Sequence, residues 1–185
     1  MFGLPEQTVG AIVAAFIAGV VALLGLIISK EQKVSEFRQQ WIDALRDDIA
    51  AVIAHSHGIH GSSLAKRTPD QSLWDTVRGD ITGISQVSAR IRLRLNPNEK
   101  NEKEKAANKA VLEALKECDS IWASPTPDFF KLPAISEKLL SAGQIVLKIN
   151  WDRVRSGEPV YRMARWVAVL VIVAVAIVLL LHIFK

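Results

Sequence analysis

Apolar residues form two unbroken runs, one near each end of the chain, and keep a three-and-four rhythm between them. Positions 9–28 hold no charged residue and almost no polar one, and positions 166–184 are Val, Ile, Leu and Ala almost without interruption. About 20 residues at ~1.5 Å rise cover the ~30 Å hydrocarbon core of a bilayer, so each run predicts a transmembrane helix. A cleaved signal peptide carries a basic stretch ahead of its apolar run, whereas only Glu6 precedes this one. Ser29, Lys30 and Glu31 then lead straight into charged helix without a cleavage motif, so the first run is read as a retained span.

No Pro or Gly interrupts the chain between Gly25 and His57, which predicts that the first span continues as one helix well beyond the membrane. Val34, Phe37, Trp41, Leu45, Ile49 and Val52 form its apolar stripe, Arg38, Asp43, Asp47 and Asp48 lie off it, and Gly58 and Gly61 are expected to end it. Thr68-Pro69-Asp70-Gln71 reads as a helix start with a capping box. The stripe that follows is Leu73, Val77, Ile81, Ile84, Val87, Ile91 and Leu95, with Gly79 and Gly83 one turn apart, a sign of close packing at some cost in propensity. Asn96-Pro97-Asn98-Glu99 is expected to stop that helix and cap a third. The third opens with a charged run in which Glu99 and Lys103 are spaced for an i,i+4 pair. Its stripe is Val111, Leu115, Cys118 and Trp122. After the stiff Ser124-Pro125-Thr126-Pro127 turn, a fourth helix is expected from Pro133 to Arg155, before Ser156-Gly157-Glu158-Pro159 breaks it and starts the last one.

These elements predict an all-α chain: N- and C-terminal transmembrane helices, 1–29 and 159–185, flanking a cytoplasmic antiparallel four-helix bundle, 30–158. The four bundle helices have similar lengths, about 24 to 28 residues or ~36–42 Å. An even number of antiparallel helices returns the chain to the membrane face it left, with short connections throughout. Composition agrees, because helix formers dominate and there is a single Tyr.

The formal net charge is +4. Residues 1–29 and 166–185 carry only Glu6 and Lys185, so the excess lies between them. A mild basic excess beside a membrane points to anionic lipid rather than nucleic acid. Lys30 and Lys33 follow the first run, and Arg162 and Arg165 precede the second, whose edge is marked by Trp166. The positive-inside rule therefore places the middle in the cytoplasm and both termini in the periplasm of a bacterial inner membrane, with Lys185 a weak opposing sign.

The first span repeats small residues every four positions, at Gly10, Ala14, Ala18 and Ala22 and at Ala11, Ala15 and Gly19. Such residues let helix backbones approach closely in lipid, so Ala11, Ala15, Gly19 and Ala22 are the candidate packing face, toward the second span or a second copy of the chain. Neither span holds an Asp, Glu, Lys or Arg, which argues against a proton relay or coupled transport. Arg90, Arg92 and Arg94 alternate with apolar residues at a helix C-terminus, a place that favours cations. Together with Arg162 and Arg165 they are candidates for membrane lipid or another anionic ligand, the alternative being a solvated face. His55, His57 and His60 are close in sequence but flank glycines, and a polar helix end is the simpler reading than a metal site. Cys118 lies on an apolar stripe and reads as a small buried hydrophobe. The chain carries no nucleophile elbow, P-loop, dinucleotide fingerprint or metalloprotease motif, so neither an enzyme nor a cofactor is expected.

The stretch Glu36-Phe37-Arg38-Gln39-Gln40-Trp41-Ile42-Asp43-Ala44-Leu45-Arg46 resembles a group of small bacterial and prophage-type membrane proteins in which a transmembrane helix directly precedes F-R-x-x-W-I-x-x-L-R. Leu95-Asn96-Pro97-Asn98-Glu99 and the segment from Trp151 to Glu158 are similar to that group as well. The resemblance implies a setting in mobile elements or antiphage defence rather than a particular activity. Two-span defence effectors commonly pair their spans in one hairpin, whereas a whole domain separates them here. Within the motif Phe37, Trp41 and Leu45 are the candidate anchors, of a bundle core or of an interface between protomers. The functional expectation is a homo-oligomeric membrane effector that perturbs or permeabilises the membrane. Its alternative is a membrane-anchored scaffold that recruits a cytoplasmic protein partner.

Overall fold

The computed structural model of the chain describes residues 6–66, 72–156 and 159–183, and among them it contains five α-helices, one 3-10 turn and no strand. The helices are α1 (Glu6–Leu64), α2 (Leu73–Arg94), α3 (Glu102–Trp122), α4 (Leu132–Ser156) and α5 (Pro159–Ile183), with the 3-10 turn at Phe129–Lys131. Two of the helices are long and apolar enough to cross a membrane. The chain divides into two compact units, a span unit of Met1–Arg38 with Arg153–Lys185 and an interior unit of Gln39–Asp152.

At 59 residues α1 is by far the longest element. It does not end at Gly58 and Gly61 as expected, but runs through both to Leu64. A glycine costs a helix about 0.5–1 kcal/mol. Ile59, between the two, is fully buried, and burial of such a side chain is worth about 1.5–3 kcal/mol, so packing outweighs local propensity. Gly58 also makes room, since a Cβ there would lie 3.1 Å from Asp80 Oδ2 on α2.

In the interior unit the buried face of α1 is Ile42, Leu45, Ile49, Val52, Ser56 and Ile59. It departs from the expected stripe at its start. Phe37, in the span unit, is 69 % exposed and Trp41 is half-buried, while Ile42 is buried. Each four-residue step overshoots a full turn by about 40°, so Phe37, Trp41 and Leu45 wind across the helix instead of down one line. Only Leu45 is fully in the core. That core is a single apolar cluster, joined by Val77, Ile84 and Ile91 from α2, Val111, Leu115 and Cys118 from α3, and Leu132, Leu139 and Val146 from α4.

Two expected helix starts need adjustment. The Thr68-Pro69-Asp70-Gln71 box lies outside the described residues. The helix there begins at Leu73 after an extended Ser72 that makes no side-chain cap. The third helix starts at Glu102 rather than Glu99, because Asn101 accepts from the backbone N–H groups of Lys103 and Glu104, each at 3.1 Å. Glu99 is thereby left outside the helix, where its carboxylate takes the Lys100 N–H and the expected pair with Lys103 is not made. Lys105 and Glu102 pair instead at 3.2 Å. At α4, Asp128 accepts from Phe130 N–H and opens the 3-10 turn, which delivers the chain into Leu132 and Pro133.

Close approach of helices shows at the glycines. A Cβ on Gly83 would lie 2.6 Å from His55 Nε2, and one on Gly143 would lie 2.7 Å from Ile49 Cδ1. Gly79 faces open space, so only one of the two glycines flagged on α2 marks a tight contact. Gly143→Ala should therefore lower stability by about 1–2 kcal/mol in chemical denaturation of the detergent-solubilised protein, overpacking outweighing the better helix propensity. Ile49→Val should recover most of the loss. Gly79→Ala should be stabilising by about 0.5–1 kcal/mol.

Candidate functional site

The three alternating arginines of α2 are committed within the interior unit. Arg90 donates from Nε to Asp48 Oδ1 at 2.9 Å and from Nη2 to the same oxygen at 2.8 Å, and Arg94 Nη1 donates to Asp48 Oδ2. Arg92 Nη2 donates to Asp119 Oδ2 on α3 at 2.6 Å. Asp48 is 5 % exposed, and its burial is intelligible because two guanidiniums share its charge. Its spacing was the available signal, since on the helix it lies about 40° from Val52, at the edge of the buried arc. A purely apolar stripe hides such a residue.

Further buried polar groups lie between the helices. Asn150 Nδ2 on α4 donates to Glu104 Oε1 at 3.3 Å and to the Val146 carbonyl at 3.0 Å. Asn108 Nδ2 donates to the Asn96 carbonyl at 2.9 Å and ties α3 to the preceding loop. These bonds tie α4 to α3 and α3 to the loop before it.

The histidines diverge. His55 Nδ1 donates to Asp80 Oδ1 at 2.8 Å, because a carboxylate only accepts. His60 Nδ1 donates to the Phe129 carbonyl at 3.2 Å and its ring meets Phe130 edge-on at 5.6 Å, while His57 is exposed. Cys118 is buried as expected. Burial pushes its thiol up to about 11, the Asp119 carboxylate adds to this, and Ser56 and Arg92 oppose it. At neutral pH it is a protonated, unreactive thiol.

The span unit presents a different surface. Phe16, Ile17, Val20 and Val21 of α1 and Val171, Ile172, Val175 and Ala176 of α5 line an apolar groove of about 280 Å³. Ala11, Ala15, Gly19 and Ala22 are all exposed, and a Cβ added at Gly10 or Gly19 would meet nothing within 4 Å. Among the described residues, α5 therefore does not cover the small-residue face. A second, polar cleft of about 320 Å³ is lined by Ile28, Glu31, Gln32 and Ser35 of α1, by Val154, Arg155 and Ser156 of α4, and by Tyr161 and Arg165 of α5. Arg165 also lies over the Trp166 ring at 5.9 Å, and Arg162 is exposed outside this cleft. The sequence pattern picked out Arg162 and Arg165 but not Arg155, Tyr161 or Ser35, which only helix phase brings together. No family model matches the chain, and no curated protein or solved structure matches it either.

Removing one partner of a buried ion pair strands the other charge. Asp48→Ala should thus lower stability by about 2–3 kcal/mol, less than for a wholly buried pair because Arg90 is nearly half exposed. Asp47→Ala, next to it but exposed, should change stability by less than about 0.5 kcal/mol in the same unfolding measurement.

Proposed function

We propose that the protein is an oligomeric inner-membrane effector that perturbs or permeabilises the membrane. In this reading its spans associate through Ala11, Ala15, Gly19 and Ala22, and residues 30–158 form an antiparallel four-helix bundle in the cytoplasm that senses a trigger or drives assembly. The observation that carries it is the small-residue face of α1, which is exposed among the described residues. In lipid there is no hydrophobic force between helices, so association depends on close packing of small residues, which this face offers to a second copy. Lys30, Lys33, Arg162 and Arg165 support the cytoplasmic placement of the domain and the periplasmic placement of both termini. The likeness to prophage-type membrane proteins supports an antiphage setting. A lumen made by these charge-free spans would be wetted by backbone and small side chains.

A second reading, a membrane-anchored scaffold that recruits a cytoplasmic protein, is favoured by one feature of the interior unit. Ile49, Ala50, Ile53 and Ala54 of α1 and Leu140, Gly143 and Leu147 of α4, with Arg46 and Gln144, line an apolar depression of about 330 Å³. Grooves of this kind accept amphipathic helices.

The two readings separate in one experiment: native mass spectrometry of the protein in mild detergent, paired with membrane-potential recordings on cells expressing it with the cognate trigger. The effector reading predicts a discrete oligomer of about four or more copies and loss of potential, both abolished by Ala15→Leu with Gly19→Leu. A monomer or dimer with intact potential and a stoichiometric soluble partner would replace it with the scaffold.

A further inference from the structure

We infer that the α1/α5 groove of the span unit binds one anionic glycerophospholipid, its phosphate between Arg155 and Arg165 and an acyl chain along the apolar groove beside Val20 and Val171. The inference rests on the reading of α1 and α5 as membrane spans. It does not depend on oligomer formation or membrane damage.

The polar cleft has the chemistry of a phosphate-ester site. Two guanidiniums, the Tyr161 hydroxyl, the Ser35 hydroxyl and the Gln32 amide supply donors. Glu31 is the one carboxylate in the lining, and it has a partner of its own. Most of the other described arginines are held elsewhere. Arg90, Arg92 and Arg94 are held by Asp48 and Asp119, Arg46 is held by Asp43, and Arg38 and Arg153 have partners too. Among the described residues Arg78, Arg155, Arg162 and Arg165 have no carboxylate partner, and of these Arg155 and Arg165 line the same cleft. Arginines reserved in this way, beside the end of an apolar span, match the level of lipid headgroups.

The apolar groove supplies the second half of the ligand. From Ile28 in the cleft to Val21 in the groove is seven residues, about 10 Å along α1. From Arg165 to Val171 is six residues, about 9 Å along α5. Two helices thus give the same offset between the polar and apolar parts. One leaflet contributes about 15 Å of acyl chain, half the hydrocarbon core, so a lipid whose phosphate sits at the cleft must pass its chain along the groove. Phe16 and Ile172 on the groove are each 52 % exposed, which leaves it open sideways for a chain to enter from the bilayer. A free phosphate ester would use the cleft and leave the groove unfilled.

The test is native mass spectrometry of delipidated full-length protein with added phosphatidylglycerol, phosphatidylcholine or glycerol 3-phosphate. The expected result is about one retained phosphatidylglycerol per chain, preferred about tenfold or more over phosphatidylcholine and not displaced by millimolar glycerol 3-phosphate. Arg155→Gln with Arg165→Gln should remove the preference, and Arg162→Gln, outside the cleft, should keep it. Val20→Phe, which fills the groove, should weaken phosphatidylglycerol retention with the arginines intact, and it tests the site even if the double variant fails to fold. Equal retention of the two lipids, or a preference untouched by either variant, would overturn the inference. Displacement by glycerol 3-phosphate would overturn the lipid in favour of a soluble phosphate ester. Failure of the span reading would show separately, as protein recovered in the soluble fraction without detergent.

Discussion

The unbroken helix α1 imposes the constraint on which the other elements depend. A helix long and apolar enough to cross a membrane has to close its backbone hydrogen bonds internally, because hydrocarbon offers no water to satisfy them. α1 does so over 59 residues and supplies apolar surface both to the span unit and to the core of the interior unit. Once it exists, the remaining helices have surfaces to pack on. Val171 and Val175 of α5 share a groove with Val20, and Ile84, Leu115 and Leu139 join Ile49 and Val52 in the interior core. What α1 leaves uncovered is as informative as what it covers, because among the described residues the small side chains Ala11 and Ala15 are exposed and Gly19 has open space over it.

Apolar packing alone tolerates sliding and rotation of helices, whereas buried polar bonds do not. Asp48 binds α2 to α1 through two arginines, and Asn150 reaches Glu104 from α4 to α3. Arg92 and Asp119 add a link from α2 to α3 that is more exposed and correspondingly weaker. A buried charge pair is a poor source of net stability but a strong penalty on any arrangement that separates it. Here it selects one register among several that the apolar stripes would permit. This role accounts for arginines whose alternation with Ile91, Leu93 and Leu95 suggests a membrane-facing cluster when the sequence is read alone.

Much of the fold was legible in the pattern of residues. The all-α class, the two long apolar helices and the buried state of Cys118 all follow from periodicity and composition. The misses have definite causes. Gly58 and Gly61 failed to stop α1 because burial of Ile59 outweighs glycine's local cost. The start of α3 slipped from Glu99 to Glu102 because two asparagine-rich signals compete and Asn101 makes the cap. Phe37, expected on the stripe, is exposed because a four-residue step does not close a helical turn. Site residues were less legible still. The cleft gathers Ser35, Arg155, Tyr161 and Arg165 from three helices, and no local pattern encodes a meeting of that kind.

The proposed assembly requires that the free face of α1, and not the face turned to α5, meet a second copy of the chain in the membrane. Cysteine cross-linking in native membranes tests it most directly, with single cysteines placed in a Cys118→Ser background. Ala15→Cys and Gly19→Cys should give disulfide-linked dimers on mild oxidation, and Val20→Cys, on the groove toward α5, should not. Dimers formed through Val20→Cys, or none through Ala15→Cys and Gly19→Cys, would contradict the account.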